Sequence, residues 1–391
     1  MLPLEGITVV ALEQAVAAPF ATRQLADLGA RVIKIERPEV GDFARDYDTT
    51  VNGLASHFVW VNRSKESLTL DLKRPEAKEV LERLLAKADV FVQNLAPGAC
   101  ERLGLGTAVL RERFPRLIVC NLSGYGSSGP YRDRKAYDLL VQSEAGLVSV
   151  TGTQETPSKV GISIADIAAS MYAYSGILTA LLVRKETGQG TALEVSMLEA
   201  IGEWMGYAAY YTSYGGSPPP RAGANHAAIS PYGPYAAADG TIYFAVQNER
   251  EWVRFCEKVM ERPHLATDPR FHTNSSRVQN RSELESMIAA MLKRMTVEKI
   301  VGLLEEAQIG YARLNSVQEF VDHPQLAARD RWRQIESPAG PLRALIPPAT
   351  IEGVEPVMAA VPALGQHTES ILRELDFDPG TIDAWRQAKM I

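Results

Sequence analysis

The chain has 391 residues, of which 46% are hydrophobic, a composition that indicates a globular protein too long for one ordinary core. Its formal net charge of −6, without any long run of like charges, argues against a nucleic-acid-binding surface or a polybasic membrane patch. Three widely spaced cysteines, Cys100, Cys120 and Cys256, indicate buried thiols in a reducing compartment rather than disulfides or a zinc site.

The beginning of the chain lacks the pattern of a secretory leader, because Glu5 and Glu13 interrupt its apolar stretch. The longest uncharged run, from Ile167 to Val183, is shorter than a typical membrane span. We therefore expect a cytoplasmic protein that neither enters a membrane nor binds nucleic acid.

Short apolar strands alternate with amphipathic helices through the first half of the chain. Ile7–Leu12 is predicted to form a strand, and a helix is predicted to begin at Pro19. Gly29 ends this helix before a second strand at Arg31–Ile35. Further strands are predicted at Ser67–Leu72, Val90–Gln93, Leu117–Leu122 and Ala192–Val195, with helices near Glu76–Ala88, after Pro97 and after Asp166. This alternation is typical of an α/β domain with a Rossmann-like parallel sheet covered on both faces.

The segment from Gly124 to Gly129 matches the letters of the dinucleotide motif GxGxxG. We do not interpret it as a nicotinamide site, because that motif belongs at the first β-α turn and must open a helix. Here Pro130 follows, and the true first turn, from Glu13 to Pro19, contains no glycine.

Asp166 precedes a long run of small and apolar residues with helical spacing, which places its carboxylate near the start of a buried helix. The free amides and the dipole of a helix N-terminus favour negative charge, so we expect this carboxylate to be ionised. An ionised, partly desolvated carboxylate can serve as a nucleophile in acyl transfer. The alternative is that Asp166 only caps the helix.

The composition changes near Ser213–Pro220 to Gly, Ser and Pro, which indicates a linker. We place a large domain at residues 1–205, completed by 330–391, a linker at 206–224 and a smaller α+β domain at 225–329. The elements predicted in this half are strands at Tyr232–Ala238, Thr241–Val246, Leu342–Ile346 and Thr350–Val354, and helices near Glu249–Met260, Ser282–Met295, Val297–Ala307 and Thr368–Leu375.

Basic residues recur near the ends of the predicted strands, at the edge where parallel sheets bind ligands. They are Lys34, Arg37, Lys73, Arg74 and Arg102, with Arg45 and Lys135 nearby. Together they predict a pocket for a polyanion that carries phosphates. The six histidines are isolated from one another, so we expect no metal site.

Several motifs occur together along nearly the whole chain, among them Leu28–Pro38, Asn62–Lys73, Ser123–Gly126, Thr187–Gly190 and Pro231–Tyr235. In this combination the chain resembles the family III CoA-transferases, the group that contains the formyl-CoA and carnitine CoA-transferases. The resemblance implies a homodimer of interlocked rings, in which each chain is threaded through the other.

The resemblance also implies roles for individual residues. Asp166 matches the nucleophile of the family, and the positions that contact CoA correspond to Gln14, Ala15, Ala17, Arg37, Leu70, Lys73, Asn94, Leu95, Arg102 and Lys135. Val16 stands where the formyl-CoA enzyme has a glutamine, and Ala222–His226 replaces its glycine-rich flap, so the substrate does not carry over. We expect Val16, Arg45, Arg221 or His226 to contact the substrate acid.

The implied activity is transfer of CoA from an acyl-CoA to a carboxylic acid, through an aspartyl anhydride and an aspartyl-CoA thioester. Short dicarboxylates such as succinate, mesaconate or citramalate are the expected acids, with CoA as the carrier and no bound cofactor or metal. The alternative is a 2-methylacyl-CoA racemase of the same fold, but its histidine after the glycine loop is missing from Arg134–Asp138. A CoA-binding protein without turnover is disfavoured because Asp166 is present.

Overall fold

The computed structural model describes residues 2–391. The chain forms two compact units, each with its own apolar core. Residues 2–145, Gly161–Met205 and Gln325–Ile391 make up the first unit, and Gly146–Val160 and Gly206–Pro324 make up the second. The short segment Gly146–Val160, which we predicted as part of the large domain, thus belongs to the second unit.

The strands, in chain order, are β1 (Thr8–Leu12), β2 (Arg31–Glu36), β3 (Lys65–Thr69), β4 (Val90–Gln93), β5 (Ile118–Ser123), β6 (Ala192–Ser196), β7 (Tyr232–Ala236), β8 (Thr241–Ala245), β9 (Gly310–Arg313), β10 (Trp332–Ile335) and β11 (Leu342–Leu345). Within residues 2–391, β1 to β6 form a six-stranded parallel sheet in the order β3-β2-β1-β4-β5-β6. This arrangement confirms the predicted parallel α/β fold.

The α-helices, in chain order, are α1 (Ala17–Asp27), α2 (Ser56–Asn62), α3 (Ala77–Lys87), α4 (Ala99–Arg102), α5 (Thr107–Arg113), α6 (Asp138–Glu144), α7 (Leu147–Val150), α8 (Ile164–Thr187), α9 (Met197–Trp204), α10 (Gly206–Gly215), α11 (Glu249–Arg254), α12 (Asn274–Gln279), α13 (Arg281–Leu292), α14 (Val297–Glu306), α15 (Val317–Val321), α16 (Pro324–Ala328), α17 (Thr368–Glu374) and α18 (Pro379–Gln387). A π-helical turn at Phe255–Val259 continues α11.

Helices cover the parallel sheet because its central strands, β1 and β4, are apolar on both faces. Val10 and Leu12 of β1 join a core cluster with α3, α17 and α18, whereas the alternate residues Val9 and Ala11 are buried on the opposite face. Helix α1 packs against α8, which also packs against β5, β6 and α9. Of the helices in residues 2–391, α8 alone is long and apolar enough to cross a membrane, which is weak evidence for a span.

The second unit contains an antiparallel sheet, β7-β8-β9, packed with helices into a separate core. The segment that we predicted as a linker begins instead with α10. Tyrosines four residues apart stabilise this helix, since Tyr207 pairs with Tyr211 and Tyr210 stacks on Tyr214.

The predicted strand at Thr350–Val354 is wrong, because these residues form turns and irregular structure. Two prolines, Pro347 and Pro348, precede the segment and cannot donate to a ladder, and Gly353 has a φ of +73°. The strand β11 pairs instead with β10, which the sequence analysis did not predict.

Candidate active site

Beneath the first β-α turn lies a network of buried charges. Lys34 Nζ lies 2.8 Å from the Asp42 carboxylate and 3.5 Å from Glu13, and Lys65 Nζ lies 2.6 Å from Glu13. Burial opposes the charge on Lys34, but the surrounding carboxylates, Glu13 first, outweigh burial and raise its pKa. Lys34 is fully buried and paired with internal carboxylates, so it cannot contact a ligand phosphate as predicted.

Arg45 is also engaged in an internal ion pair. Its Nε and Nη2 each donate to a carboxylate oxygen of Glu36 at 2.8 Å, and its guanidinium lies 3.7 Å from the centre of the Phe58 ring. Burial alone would raise the pKa of Glu36, but Arg45 and Lys34 hold it at about 2. These contacts count against the predicted role of Arg45 in binding a substrate carboxylate.

The first β-α turn is held by side chains from two other loops. Ala15 has a left-handed φ of 61°, and its N–H donates to Asp42 Oδ1 at 3.1 Å. Asn94 accepts a bond from the Gln14 N–H and donates one to the Gln14 carbonyl, both at 2.9 Å. Val16 and Ala17 follow and are buried at the start of α1. The turn that carries four of the predicted contacts is therefore rigidly placed.

A cleft of about 520 Å³ opens at the carboxyl ends of β1 to β4. The predicted CoA contacts that line it are Gln14, Arg37, Leu70, Lys73, Leu95 and Arg102. Arg37, Lys73 and Arg102 are exposed, which leaves their charges accessible to a ligand. Arg74 does not line the cleft; its Nη2 donates to the Ala388 carbonyl at 3.1 Å.

The predicted contacts outside the cleft fall into two places. Ala15, Ala17 and Asn94 lie in or against the first turn. Lys135 is exposed in the segment between the glycine loop and α6. The structure thus gathers most of the predicted CoA contacts along one edge of the sheet and leaves Lys135 outside the cleft.

Asp166 is the third residue of α8, and Ser163 occupies the N-cap without a side-chain bond. The amides of Ala165 and Asp166 instead donate to Asp138 Oδ1, at 2.8 and 3.3 Å. Gln142 Nε2 donates to the other oxygen of Asp138 at 2.6 Å. Asp138 therefore caps α8 from outside the helix, and the interpretation of Asp166 as the cap is wrong.

The protonation of Asp166 differs from our expectation. Burial, and secondly the charge of Asp138, raise the pKa of Asp166 to about 7. The helix N-terminus does not offset this rise, because its amides point to Asp138 rather than to the Asp166 carboxylate. Near neutral pH the side chain is therefore divided between its acid and its carboxylate form.

Ser170 connects Asp166 to the first turn. Its fully buried hydroxyl can donate to the main-chain carbonyl of Asp166, at 2.6 Å, or to that of Ala17, at 2.5 Å. The first turn of α8 and the start of α1 are therefore in direct contact. Ser170 was not predicted from the sequence, because a serine that bonds the carbonyl four residues earlier is common in helices.

The glycine loop packs against its own chain. A Cβ atom at Gly124 would lie 2.0 Å from the Cβ of Ala136, so the loop and the segment leading to Asp138 are in close contact. Ser127 Oγ donates to Glu194 at 2.7 Å. No helix begins at the loop, since α6 starts only at Asp138, which agrees with our rejection of a dinucleotide site.

Arg221 and His226 lie in the second unit and have local partners. The Arg221 guanidinium donates to the carbonyls of Ser149, Thr153 and Gln154. His226 stacks on Tyr232, and burial, then the charge of Arg281, lowers its pKa. A histidine that is neutral at pH 7 attracts an anion weakly, so both sets of contacts count against the predicted pairing with a substrate carboxylate.

Across residues 2–391, no group of three or more His, Cys, Asp and Glu side chains is placed to hold a metal ion. The cysteines Cys100, Cys120 and Cys256 are free and buried. Burial raises the pKa of the Cys100 and Cys256 thiols to about 12, so these thiols remain protonated at neutral pH. Asp166 is therefore a better candidate nucleophile than either thiol.

Known proteins are similar to this chain in both sequence and fold. The family model "CoA-transferase family III" matches residues 4–368. The succinyl-CoA:glutarate CoA-transferase of Mus musculus is 33% identical over 98% of this chain and 89% of its own length. The succinate–glutarate CoA-transferase of Agrobacterium fabrum is 32% identical over 96% of each protein. The succinyl-CoA–D-citramalate CoA-transferase of Chloroflexus aurantiacus is 30% identical over 95% of this chain and 94% of its own.

Solved structures agree with these relatives. A CaiB/BaiF family protein from Brucella suis superposes with a TM-score of 0.83 at 31% identity, covering 96% of this chain and all of its own. The Rv3272 protein of Mycobacterium tuberculosis, in its orthorhombic form, gives a TM-score of 0.84 at 30% identity, over 95% and 99% of the two chains. The matched family model spans both the sheet edge and the helix that carries Asp166, and the chain therefore belongs to CoA-transferase family III.

Proposed function

We propose that this protein transfers CoA from an acyl-CoA donor to a carboxylic acid, with Asp166 as the nucleophile. The observation that carries the proposal is the placement of Asp166 in the first turn of α8, whose main chain Ser170 joins to Ala17, just after the β-α turn that borders a cationic cleft. The cleft offers Arg37, Lys73 and Arg102 to the phosphates of CoA. The thioester end of the carrier would then pass the first turn and reach Asp166.

The reaction needs only carboxylate and thiolate nucleophiles. The Asp166 carboxylate attacks the acyl-CoA carbonyl, the C–S bond breaks, and CoA thiolate leaves a mixed anhydride on Asp166. The thiolate attacks the aspartyl carbonyl, releases the donor acid as its carboxylate, and forms an aspartyl-CoA thioester. The acceptor carboxylate attacks this thioester and displaces the thiolate. The thiolate then attacks the acceptor's acyl carbonyl, which yields the new acyl-CoA and restores Asp166.

These steps place opposite demands on Asp166. A high pKa makes the carboxylate a stronger nucleophile, but the residue must be deprotonated before it can attack. A pKa of about 7 keeps a large fraction ionised at neutral pH while preserving its basicity. No step changes an oxidation state, and in each step an anionic nucleophile attacks while an anionic leaving group departs. We therefore propose that no metal or bound cofactor takes part.

We propose short dicarboxylic acids as donor and acceptor. The support comes from the relatives, whose names pair succinyl-CoA or succinate with glutarate or D-citramalate. Within the chain, the local partners of Arg45, Arg221 and His226 leave none of them as an obvious contact for the distal carboxylate. Val16, buried at the start of α1, remains in our proposal as a residue that shapes the acyl site.

We propose a homodimer of interlocked rings as the active assembly. Large apolar side chains are exposed on the first unit, including Leu139, Leu140, Leu182 and Val183. Exposed apolar groups of this size are typical of a surface covered by a partner. Light scattering should give twice the monomer mass, and a monomer at micromolar concentration that still transfers CoA would contradict the assembly.

We also propose the cytoplasm as the compartment of this protein, because its buried cysteines are free thiols.

The activity can be tested with succinyl-CoA and a panel of acids that includes glutarate, mesaconate and citramalate, with mass spectrometry to detect a new acyl-CoA. We expect Asp166→Ala and Asp166→Asn to lower the transfer rate by more than about 10³-fold, because the covalent route is lost. CoA binding should persist in both. Asp133→Asn, at an exposed aspartate, is the matched control and should keep the wild-type rate.

The same preparation separates transfer from racemisation. In deuterated water, a 2-methylacyl-CoA exchanges its α-hydrogen only if the protein acts as a racemase. The acidic neighbour of Asp166 is Asp138, and no histidine occurs in Arg134–Asp138 to serve as a second base. We expect no exchange. Exchange without an acceptor acid would refute the transferase, and so would full turnover by the Asp166→Ala protein.

A further inference from the structure

We propose that Lys389 binds a phosphate group of CoA in the cleft, as a fourth cation beside Arg37, Lys73 and Arg102. Lys389 follows α18 and lines the cleft, although it lies more than 280 positions from those residues in the sequence. The inference rests on the proposed function in one respect, because it takes CoA as the ligand of the cleft.

The backbone on both sides of Lys389 is anchored to the turn that carries Lys73. The Met390 carbonyl accepts a bond from the Asp71 N–H at 2.7 Å, and the Ala388 carbonyl accepts one from Arg74 at 3.1 Å. The Met390 side chain is buried in the core of the first unit. Lys389 is therefore fixed next to the 71–74 turn, and only its side chain is free to move.

The backbone of Lys389 indicates a role for its side chain. Lys389 has a φ of +55° directly after the C-cap of α18, a position at which helices usually carry glycine. A lysine is strained there relative to glycine, so its presence is not explained by the turn alone. The positive charge that Lys389 adds to the cleft would explain why a lysine occupies this position.

The ammonium of Lys389 can reach a ligand because its present partner holds it weakly. Lys389 Nζ lies 2.8 Å from a Glu39 oxygen, and the two side chains are 73% and 64% exposed. Exposed ion pairs contribute little and are easily exchanged. A phosphate with its higher charge density would displace Glu39 from Lys389. Lys34, which is fully buried between carboxylates, has no such freedom.

The test measures CoA binding by calorimetry at low salt in the Asp166→Ala protein, so that no turnover is involved. Lys389→Met should weaken CoA binding by about fivefold, since one charge-assisted contact is lost. Lys389→Arg should restore most of the affinity. Glu39→Gln breaks the same ion pair but keeps the lysine, and it should bind CoA at least as tightly as the parent.

The two variants separate ligand binding from a structural role. If the ion pair merely holds the two segments together, Lys389→Met and Glu39→Gln will lose affinity equally, and the proposal fails. It also fails if Lys389→Met binds CoA as tightly as the parent. The same two proteins are then compared with 3′-dephospho-CoA. If Lys389→Met and its parent bind this ligand equally well, Lys389 contacts the 3′-phosphate. If Lys389→Met still binds it more weakly, Lys389 contacts the diphosphate. A parent protein that binds no CoA at all would instead refute the proposed function.

Discussion

Buried or half-buried carboxylates occur in two regions of the first unit, and their pKa values are shifted in opposite directions. In the network under the first turn, Glu36 is paired with Arg45, and its pKa is held at about 2. At the start of α8, burial and secondly the charge of a neighbouring carboxylate, Asp138, raise the pKa of Asp166 to about 7. Burial acts to raise the pKa of both carboxylates, so the opposite directions of the two shifts come from the charges around them.

The comparison shows how one domain separates stability from reactivity. Despite their burial, Glu13 and Glu36 have lowered pKa values because cations lie beside them. The ion pairs of Glu13, Glu36 and Asp42 with Lys65, Arg45 and Lys34 also fix the loops that shape the cleft. Burial, and secondly the charge of Asp138, leave Asp166 divided between its acid and its carboxylate form near neutral pH. Substitutions in the network under the first turn should therefore lower the free energy of unfolding. Substitutions beside Asp166 should alter the pH dependence of kcat/KM.

The largest effect is expected from Glu13→Gln, which leaves Lys65 and Lys34 buried with fewer negative partners. We expect the free energy of unfolding to fall by about 3–5 kcal/mol, as when one partner of a buried ion pair is removed. Glu79→Gln, which breaks an exposed pair with Arg83, should cost less than about 1 kcal/mol. Urea denaturation measures both variants, and equal losses would contradict the role given to the network.

The second effect is a loss of stability in acid through Glu36. Its pKa is lowered on folding from 4.5 to about 2, so its contribution to stability is complete above pH 4.5 and disappears as the pH falls towards 2. The shift corresponds to about 3 kcal/mol. Urea midpoints at pH 5 and pH 3 should differ more in the wild type than in Glu36→Gln. The same difference in both proteins would count against this origin.

The third effect concerns Asp138. We expect the wild-type kcat/KM to rise with pH through about 7, as Asp166 loses its proton. Asp138→Asn removes the neighbouring charge but can still accept the helix amides, so the midpoint should move down by about one pH unit. Asp138→Ala also loses the cap and should be less stable. An unchanged midpoint in Asp138→Asn would show that burial alone sets the pKa.

The smallest effect is expected from Ser170→Ala. Loss of a buried hydroxyl between two carbonyls should cost about 1 kcal/mol and slow transfer several-fold, because α1 and α8 lose a shared contact. Ser175→Ala on the same helix removes an exposed hydroxyl bond and should have neither effect. Steady-state kinetics with thermal unfolding distinguishes the two variants.

The sequence predicts the parts of this molecule that depend on local pattern. The β-α-β alternation, the helix after Asp166 and the cationic sheet edge follow from apolar spacing and from turn residues near one another in the chain. Strand β4 occurs at the predicted residues, and the predicted edge carries Arg37, Lys73 and Arg102 in one cleft.

The features that the sequence does not predict depend on distant partners. Nothing near Lys34 or Arg45 shows that Glu13 and Glu36 will bind them in the folded core. The cap of α8 comes from Asp138, 28 residues before Asp166, and neither this partner nor the burial that raises the pKa of Asp166 is visible in the sequence around Asp166. Lys389 reaches the cleft because its neighbours bond to the 71–74 turn and Met390 packs in the core.

The central claim is that Asp166 carries first an acyl group and then CoA. Hydroxylamine added during turnover with succinyl-CoA and an acceptor acid should convert the activated aspartate into a hydroxamate that peptide mass spectrometry can locate. We predict modification of Asp166, dependent on acyl-CoA and absent from an Asp166→Glu or substrate-free control. Modification at another residue, or none while acyl-CoA exchange proceeds, would contradict the account.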